Sequence, residues 1–131
     1  MEVSLSVLIV DDSRIMRRMV ARSLALTGVT LRDVHEASDG QQALALLHTH
    51  WVDVIFADVN MPVMGGIEMV ERMMADPMLI PPPVVMVSTE RSEPRIARLR
   101  QLGVRAYINK PFTPEQFRAA LDEVLGVRKA S

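Results

Sequence analysis

The chain has 131 residues, carries 15 basic and 16 acidic side chains, and contains no cysteine. This length predicts a single domain over residues 1–131 that buries roughly two thirds of its unfolded surface. The balanced charge gives no indication of a nucleic-acid or membrane partner, and the lack of cysteine excludes disulfides and zinc–thiolate sites. No signal peptide or membrane-spanning run is visible, so we expect a soluble, cytoplasmic protein.

Five stretches of strand length recur along the chain. They cover residues 5–10, 34–37, 54–57, 84–87 and 105–108. The runs 54–57 and 84–87 are apolar throughout and 5–10 is apolar apart from Ser6, a pattern typical of strands that are buried on both faces, as in a parallel sheet. The stretches 34–37 and 105–108 contain charged residues and are predicted as two further strands.

Helical patterns occupy the intervals between these strands. Ser13 is placed to cap the first helix, and Gly28 is placed to end it. The second, third and fourth helices open at residues 38–40, 65–66 and 92–94. Thr113, followed by Pro114 and by Gln116 three residues after the cap, predicts the start of a fifth helix.

Alternating strands and helices predict a parallel sheet with helices on both faces and right-handed crossovers. Ligands of such sheets bind outside the carboxyl ends of the strands. The polar residues that follow the predicted strands are Asp11, Asp12, Asp58, Ser88 and Lys110. We therefore expect these five residues, which are distant in sequence, to converge in space.

Each of these residues taken alone has an ordinary structural interpretation. A single Asp at a strand end, such as Asp58, is typical of a turn or a cap, and Asp11-Asp12 would serve as an N-cap pair. Ser88 alone suits a cap or a turn, and Lys110 alone suits a solvated surface. Their joint occurrence at the ends of several strands favours a site.

The residue types in this set indicate a phosphoryl-acceptor site with a metal ion. Three carboxylates at one edge repel each other unless a cation or protons are present. Asp12, Asp58 and a backbone carbonyl are hard oxygen ligands that suit Mg²⁺, whereas zinc or copper would favour cysteine or histidine. A carboxylate beside Mg²⁺, Lys110 and the Ser88 hydroxyl is placed to attack phosphorus.

The motifs at these strand ends resemble those of a known family. They are the segments 10–13, 57–62, 86–90 and 106–112. In these motifs the chain resembles the receiver domains of two-component response regulators, and in particular the stand-alone, CheY-like type. The resemblance extends from about Val7 to Leu125. The resemblance implies a flavodoxin-like, doubly wound α/β fold: a five-stranded parallel sheet of order 2-1-3-4-5 with five helices.

The resemblance also implies roles for single residues. Asp58 would be the phosphorylated residue, and Asp12, Asp58 and the carbonyl of Asn60 would bind Mg²⁺ directly. Asp11 would bind the ion through water. Asn60 and Glu90 occupy the two positions that tune dephosphorylation in the family, and this pair implies a short-lived phosphoryl state.

The remaining implied roles concern the last two strands. Ser88 and Lys110 would contact the phosphoryl group, and Tyr107 would be an aromatic switch that turns inward when Ser88 moves towards the phosphate. Lys110–Pro111 would be a cis peptide bond. The family often has Asp-Gly where this chain has Gly65–Gly66, a departure expected to add backbone freedom at the start of the third helix.

Two surfaces are candidates for protein partners. The first helix has a basic face that either docks a histidine kinase or histidine phosphotransfer protein or is merely solvated. Its residues are Arg14, Met16, Arg17, Arg18 and Arg22. The output surface would be formed by the fourth helix, fifth strand and fifth helix, around Arg91, Arg95, Ile96 and Tyr107. We expect no output domain, so the signal would pass to a separate downstream protein, as in chemotaxis or motility.

Three functions are candidates for the predicted site. The favoured one is a phospho-accepting signalling switch that is not an enzyme beyond its own phosphorylation and dephosphorylation. The second is a phosphorelay shuttle that passes the phosphoryl group on to a histidine. The third is an aspartyl-phosphate hydrolase of the haloacid-dehalogenase type, which needs an Asp general acid where this chain has Asn60.

Overall fold

A computed structural model describes residues 4–126 and contains five strands and five helices in strict alternation within that range. The strands are β1 (Ser4–Val10), β2 (Thr30–Ala37), β3 (Val54–Ala57), β4 (Val84–Ser88) and β5 (Ala106–Asn109). The helices are α1 (Arg14–Ala25), α2 (Gly40–Leu47), α3 (Gly66–Ala75), α4 (Glu93–Gln101) and α5 (Pro114–Leu125). Across residues 4–126, every helix is too short or too polar to span a bilayer.

The five strands form one parallel sheet of order β2-β1-β3-β4-β5, which confirms the predicted fold class. Val10 at the end of β1 lies beside Ala37 of β2 and Ala57 of β3. This register brings the residues that follow β1 and β3 to the same edge of the sheet. Asp58 N–H donates to Val10 O at 2.9 Å and extends the ladder by one residue.

The core lies in two layers, one on each face of the sheet. Ile55 of β3 packs with the layer under α2, α3 and α4, whereas the next residue, Phe56, packs with the layer under α1 and α5. Successive side chains of a strand point to opposite faces, so the apolar run of β3 supplies both layers. Phe56 and Phe117 are fully buried, and each such side chain contributes roughly 1.5–3 kcal/mol to stability.

The start of the second strand was predicted wrongly. β2 begins at Thr30, four residues before the predicted range, because β2 lies at the edge of the sheet. Its first half includes the exposed residues Arg32 and Asp33, which an apolar-run criterion rejects. Both are tied to β1 instead, since Ser6 Oγ donates to Asp33 and accepts from Arg32. Side-chain hydrogen bonds thus support a strand that burial alone would not indicate.

The predicted helix starts are confirmed. Ser13 caps α1, and its Oγ accepts from Met16 N–H at 3.1 Å. Thr113 N–H donates to Gln116 Oε1 at 2.7 Å at the start of α5. The Lys110–Pro111 peptide bond is cis, as the resemblance implied. Local side-chain chemistry therefore fixes where the helices adjoining the sheet edge begin.

Gly65 and Gly66 are required for space at the start of α3. Gly65 has φ −80°, which any residue adopts. A Cβ on Gly66 would collide with the carbonyl oxygen of Asp58, and one on Gly65 would lie 2.8 Å from the carbonyl oxygen of Val59. The start of α3 thus packs directly against the end of β3.

We expect Gly66→Ala to lower the free energy of unfolding by about 1–3 kcal/mol, because the added methyl group forces the start of α3 away from the Asp58 carbonyl. Urea denaturation measures this change. Glu68→Ala, on the exposed side of the same helix, should change stability by less than about 1 kcal/mol. Equal stability of the Gly66→Ala variant and the unchanged protein would contradict the close packing.

Candidate functional site

The sheet brings the predicted polar residues to one edge. Asp11 and Asp12 follow β1, Asp58 follows β3, Ser88 ends β4, and Lys110 follows β5. These four strands are neighbours in the order β1-β3-β4-β5. The expected convergence of the five residues is therefore observed at the carboxyl edge, where parallel sheets bind their ligands.

Three carboxylates and one ammonium group form the centre of the site. Asp11, Asp12 and Asp58 each offer an oxygen within 4.8 Å of the others. Lys110 Nζ lies 2.9 Å from Asp11 Oδ2 and 3.2 Å from Asp58 Oδ2. Asp11 and Asp58 are buried, with 4% and 9% of their surface exposed, whereas Asp12 is open to solvent. One positive charge thus faces three negative charges.

The carboxylates alter the titration of Lys110. Burial acts to lower the pKa of Lys110, but the hydrogen bond that Lys110 donates to Asp11 and the charges of Asp58 and Asp11 outweigh it, so this pKa lies above its ordinary value. A raised amine pKa means that the ammonium form stabilises the folded state. That stabilisation is complete below the unfolded pKa of about 10.4 and is lost as the pH rises through the folded pKa.

Backbone N–H groups orient the two buried carboxylates. Asp58 Oδ1 accepts from Val59 N–H at 2.7 Å, and its other oxygen faces Lys110. Asp11 Oδ1 accepts from Ser13 N–H at 2.8 Å. Asp11 therefore supports the turn that precedes α1, whose N-cap is Ser13 and not the predicted Asp11-Asp12 pair, and also contributes its second oxygen to the site.

Ser88 and Tyr107 meet through the backbone of Glu90. Ser88 is fully buried, and its Oγ accepts from Glu90 N–H at 3.2 Å. The Tyr107 hydroxyl donates to the Glu90 carbonyl at 2.9 Å. Burial raises the pKa of Tyr107 above its ordinary value, so the phenol stays protonated and remains a donor near neutral pH. The two residues named as switch elements thus share one partner.

Asn60 and Glu90 contact each other and an arginine. Asn60 Nδ2 donates to Glu90 Oε1 at 3.1 Å, and Arg95 Nη1 lies 3.0 Å from both Asn60 Oδ1 and Glu90 Oε1. The hydrogen bond from Ser92 N–H, followed by those of Asn60 and the charge of Arg95, holds the pKa of Glu90 below its ordinary value. Sequence reasoning assigned Arg95 to the output surface and missed its contact with Asn60 and Glu90. The position of Arg95 in the first turn of α4 could have indicated that it lies near this edge of the sheet.

Arg17 also contacts the loop that carries Asp11. Its Nη1 donates to the carbonyl of Asp11 at 2.6 Å, and its Nε pairs with Glu36 of β2 at 2.7 Å. The Arg17 side chain is only 14% exposed, unlike Arg14 and Arg18 on the same helix, which lie at the surface. The basic face of α1 therefore contains one arginine that braces the β1–α1 loop.

Comparison with known proteins identifies the family. The family model for the response regulator receiver domain matches residues 7–122. The chain belongs to the response-regulator receiver family. The receiver is 38% identical over 123 residues to a chemotaxis protein CheY homolog of Campylobacter jejuni, covering 93% of each chain. It is 37% identical over 120 residues to the chemotaxis protein CheY of Pseudomonas aeruginosa, covering 92% of this chain and 95% of the relative.

Solved structures agree with this assignment. CheY4 of Vibrio cholerae is 36% identical to the receiver, with a TM-score of 0.81 over 94% of this chain and all of the other. The phosphorylated cyanobacterial phytochrome response regulator RcpA is 26% identical, with a TM-score of 0.79 over 95% of this chain and 96% of the other. The predicted family, a CheY-like receiver of two-component signalling, is confirmed.

We expect Lys110→Met to destabilise the receiver by about 1–3 kcal/mol near pH 7, because Asp11 and Asp58 then lie buried without their shared counter-charge. The loss should shrink on acidification towards about pH 4, where carboxylates begin to protonate. Urea denaturation at several pH values measures both effects.

Arg98→Met is the matched control for this variant. It removes a pair with Glu71 in which both side chains are more than 40% exposed. Such a pair contributes at most about 1 kcal/mol, with no comparable recovery in acid. A Lys110→Met variant that behaves like the control would contradict the proposed charge balance.

Proposed function

We propose that the receiver is a phospho-accepting signalling switch. Asp58 takes a phosphoryl group from a histidine kinase or a histidine phosphotransfer protein, and the resulting change is passed to a separate downstream protein. The observation that carries the proposal is the placement of Lys110 Nζ between Asp11 and Asp58, with Asp12 beside them. The printed names of its relatives, which are chemotaxis proteins, support a role in chemotaxis or motility.

The transfer is a displacement at phosphorus. A carboxylate oxygen of Asp58 forms the new O–P bond as the P–N bond of phosphohistidine breaks, and the imidazole nitrogen leaves with the electron pair. Lys110 offers its ammonium charge to the phosphoryl oxygens, and the hydroxyl of Ser88 is a further donor for them. Because the reaction is governed by position and charge, no proton needs to leave the nucleophile.

The acidic residues suit Mg²⁺ as the metal of this site. Asp12 and Asp58, with the backbone carbonyl of Asn60, would hold the ion, and Asp11 would do so through water. The fit rests on three carboxylates whose oxygens lie within 4.8 Å and on the excess of negative charge that Lys110 leaves. When bound, Mg²⁺ neutralises the charge on the phosphoryl oxygens.

The switch is a shift between two arrangements of the Ser88 loop. In the unmodified receiver Ser88 Oγ accepts from Glu90 N–H, and Tyr107 donates to the Glu90 carbonyl. A phosphoryl oxygen on Asp58 attracts the Ser88 hydroxyl, which weakens the bond to Glu90 N–H and releases Tyr107 to turn inward. The phosphoryl group thus favours a second arrangement through its differential contacts.

The output surface comprises α4, β5 and α5. A cavity of about 200 Å³ on this surface has an apolar floor with arginines at its side, and its lining includes Ile96, Leu99, Arg100, Arg105 and Tyr107. A cavity with an apolar floor and a basic rim suits an amphipathic, acidic segment of a partner protein. Because Tyr107 borders this cavity and also contacts Glu90, its rotation changes the surface that a partner meets.

The surface of α1 is a candidate docking site for the phosphodonor protein. Ile15 and Met19 are 72% and 48% exposed, and Arg14, Arg18 and Arg22 lie beside them at the surface. The helix starts at the edge that carries Asp58, so a protein docked there reaches the acceptor. Arg17 is not part of this docking surface, because it is bound to Asp11 and Glu36.

The geometry at Asn60 disfavours a hydrolase. That function requires an acid two residues after the nucleophile, and Asn60 is an amide hydrogen-bonded to Glu90 and Arg95. An amide does not donate a proton to a leaving group. The receiver thus accepts a phosphoryl group without a general acid that would serve a separate substrate.

We expect incubation with Mg²⁺ and a small acyl phosphate to add the mass of one phosphoryl group, measured by intact-protein mass spectrometry. Asp58→Ala should show no adduct, and chelation of Mg²⁺ should prevent it. Asp33→Asn, which alters an exposed carboxylate of β2, is the control and should label normally. No adduct on the unchanged receiver would refute the proposal, and efficient onward transfer to histidine phosphotransfer domains would favour a shuttle.

We expect the fluorescence of Trp51 to respond little to Mg²⁺. Trp51 is 65% exposed and precedes β3 at the edge opposite Asp58, up to roughly 23 Å away along an extended chain. Met61, which lines the same cavity as Asp12, offers a positive control. Met61→Trp in a Trp51→Phe background should be quenched by Mg²⁺, and strong quenching of Trp51 itself would contradict the placement of the metal site.

A further inference from the structure

Three polar side chains form a closed cluster beside Asp58, which we call the clasp: Asn60, Glu90 and Arg95. Arg95 Nη1 lies 3.0 Å from Asn60 Oδ1 and 3.0 Å from Glu90 Oε1, and Asn60 Nδ2 donates to Glu90 Oε1 at 3.1 Å. The other carboxylate oxygen of Glu90 accepts from Ser92 N–H at 3.0 Å. Asn60 is therefore hydrogen-bonded to both Arg95 and Glu90, and Arg95 and Glu90 form an ion pair.

Two members of the clasp lie beside the acidic site. Arg95 and Asn60 border an open cavity of about 470 Å³ that Asp12 also lines. The Asn60 backbone follows Asp58 closely, with its N–H 3.5 Å from Asp58 Oδ1. A water molecule that approaches a phosphoryl group on Asp58 through this cavity meets the side chains of Asn60 and Arg95.

An arginine suits this position because of its donors and its charge. Nη1 of Arg95 donates to Asn60 Oδ1, and the guanidinium charge attracts the Glu90 carboxylate at the same distance. Asn60 also donates to Glu90, whose second carboxylate oxygen accepts from Ser92 N–H. The side chains of Asn60 and Glu90 are therefore held towards each other, and one acceptor position of each is used.

We propose that Arg95 is a positioning residue that prolongs the phosphoryl state by holding Asn60 and Glu90 against each other beside Asp58. The inference rests on the proposed phospho-acceptor function of Asp58. In the hydrolysis that ends the signal, a water oxygen bonds to phosphorus and the bond from phosphorus to Asp58 breaks. The aspartate carboxylate is restored, and both water protons leave on the released phosphate. Arg95 slows this step by withholding the groups that orient the water.

Removal of Arg95 should shorten the phosphoryl lifetime. The receiver is loaded with an acyl phosphate and Mg²⁺, the donor is removed, and the remaining aspartyl phosphate is followed by mass spectrometry. We expect Arg95→Ala to lose the group about three- to tenfold faster than the unchanged receiver, a size that suits hydrogen bonds of a half-exposed arginine. Arg95→Lys, which keeps the charge but not the paired donors, should fall between the two.

Arg98→Ala is the matched control. Arg98 lies one turn along α4, its side chain is 46% exposed against 44% for Arg95, and it pairs with Glu71 of α3. Its replacement loosens a surface contact of the same helix without touching the clasp, so the lifetime should not change. Equal acceleration by Arg98→Ala would show that a looser α4, not the clasp, sets the rate, and would overturn the proposal.

Two further measurements separate the role of Arg95 from the function of Asp58. In a background of Asn60→Ala and Glu90→Ala, the change Arg95→Ala should have no additional effect on the lifetime. In the unphosphorylated receiver, the side-chain amide resonance of Asn60 should shift in Arg95→Ala and not in Arg98→Ala. A receiver that never takes a phosphoryl group refutes the acceptor function, whereas normal loading with an unchanged or longer lifetime in Arg95→Ala refutes only the clasp.

Discussion

Two buried carboxylates, Asp11 and Asp58, share the single ammonium group of Lys110 at the carboxyl edge of the sheet. Burial without that charge would be costly for both of them, since an ionised group in a poorly solvated position needs a partner. Asp12 adds a third negative charge that Lys110 does not balance. Lys110 therefore holds the site together, and the negative charge that it leaves unbalanced attracts a further cation.

The sheet makes this arrangement possible because the strand ends are held in position by residues other than the charged residues of the site. Val10 and Ala57 lie in register inside the core, and Asp58 N–H extends that register through the carbonyl of Val10. Gly66 lets α3 begin against the Asp58 carbonyl, so the backbone of Asp58 is confined by the helix that follows it in the chain. Apolar packing thus orients the charged groups whose mutual repulsion opposes their assembly.

Sequence patterns predicted the central strands, the sheet edge and the five residues that meet there, because buried strands and helix caps depend on the types of neighbouring residues in the sequence. The strand order and most residue roles came from the family resemblance. The start of β2 was missed because Arg32 and Asp33 satisfy each other and Ser6 across an edge strand. Arg17 and Arg95 look like surface charges in sequence, and only three-dimensional proximity gives them Asp11 and Asn60 as partners.

Glu90 accepts from Tyr107 through its carbonyl, donates to Ser88 through its N–H, and meets Asn60 and Arg95 through its carboxylate. Its backbone therefore contacts the two residues proposed as switch elements, while its side chain contacts the other members of the clasp. A substitution at position 90 alters only the second set of contacts directly. Under the proposed function, the strength of the response and its duration are then separable traits, and a change at this position alters the duration while leaving the proposed output surface intact.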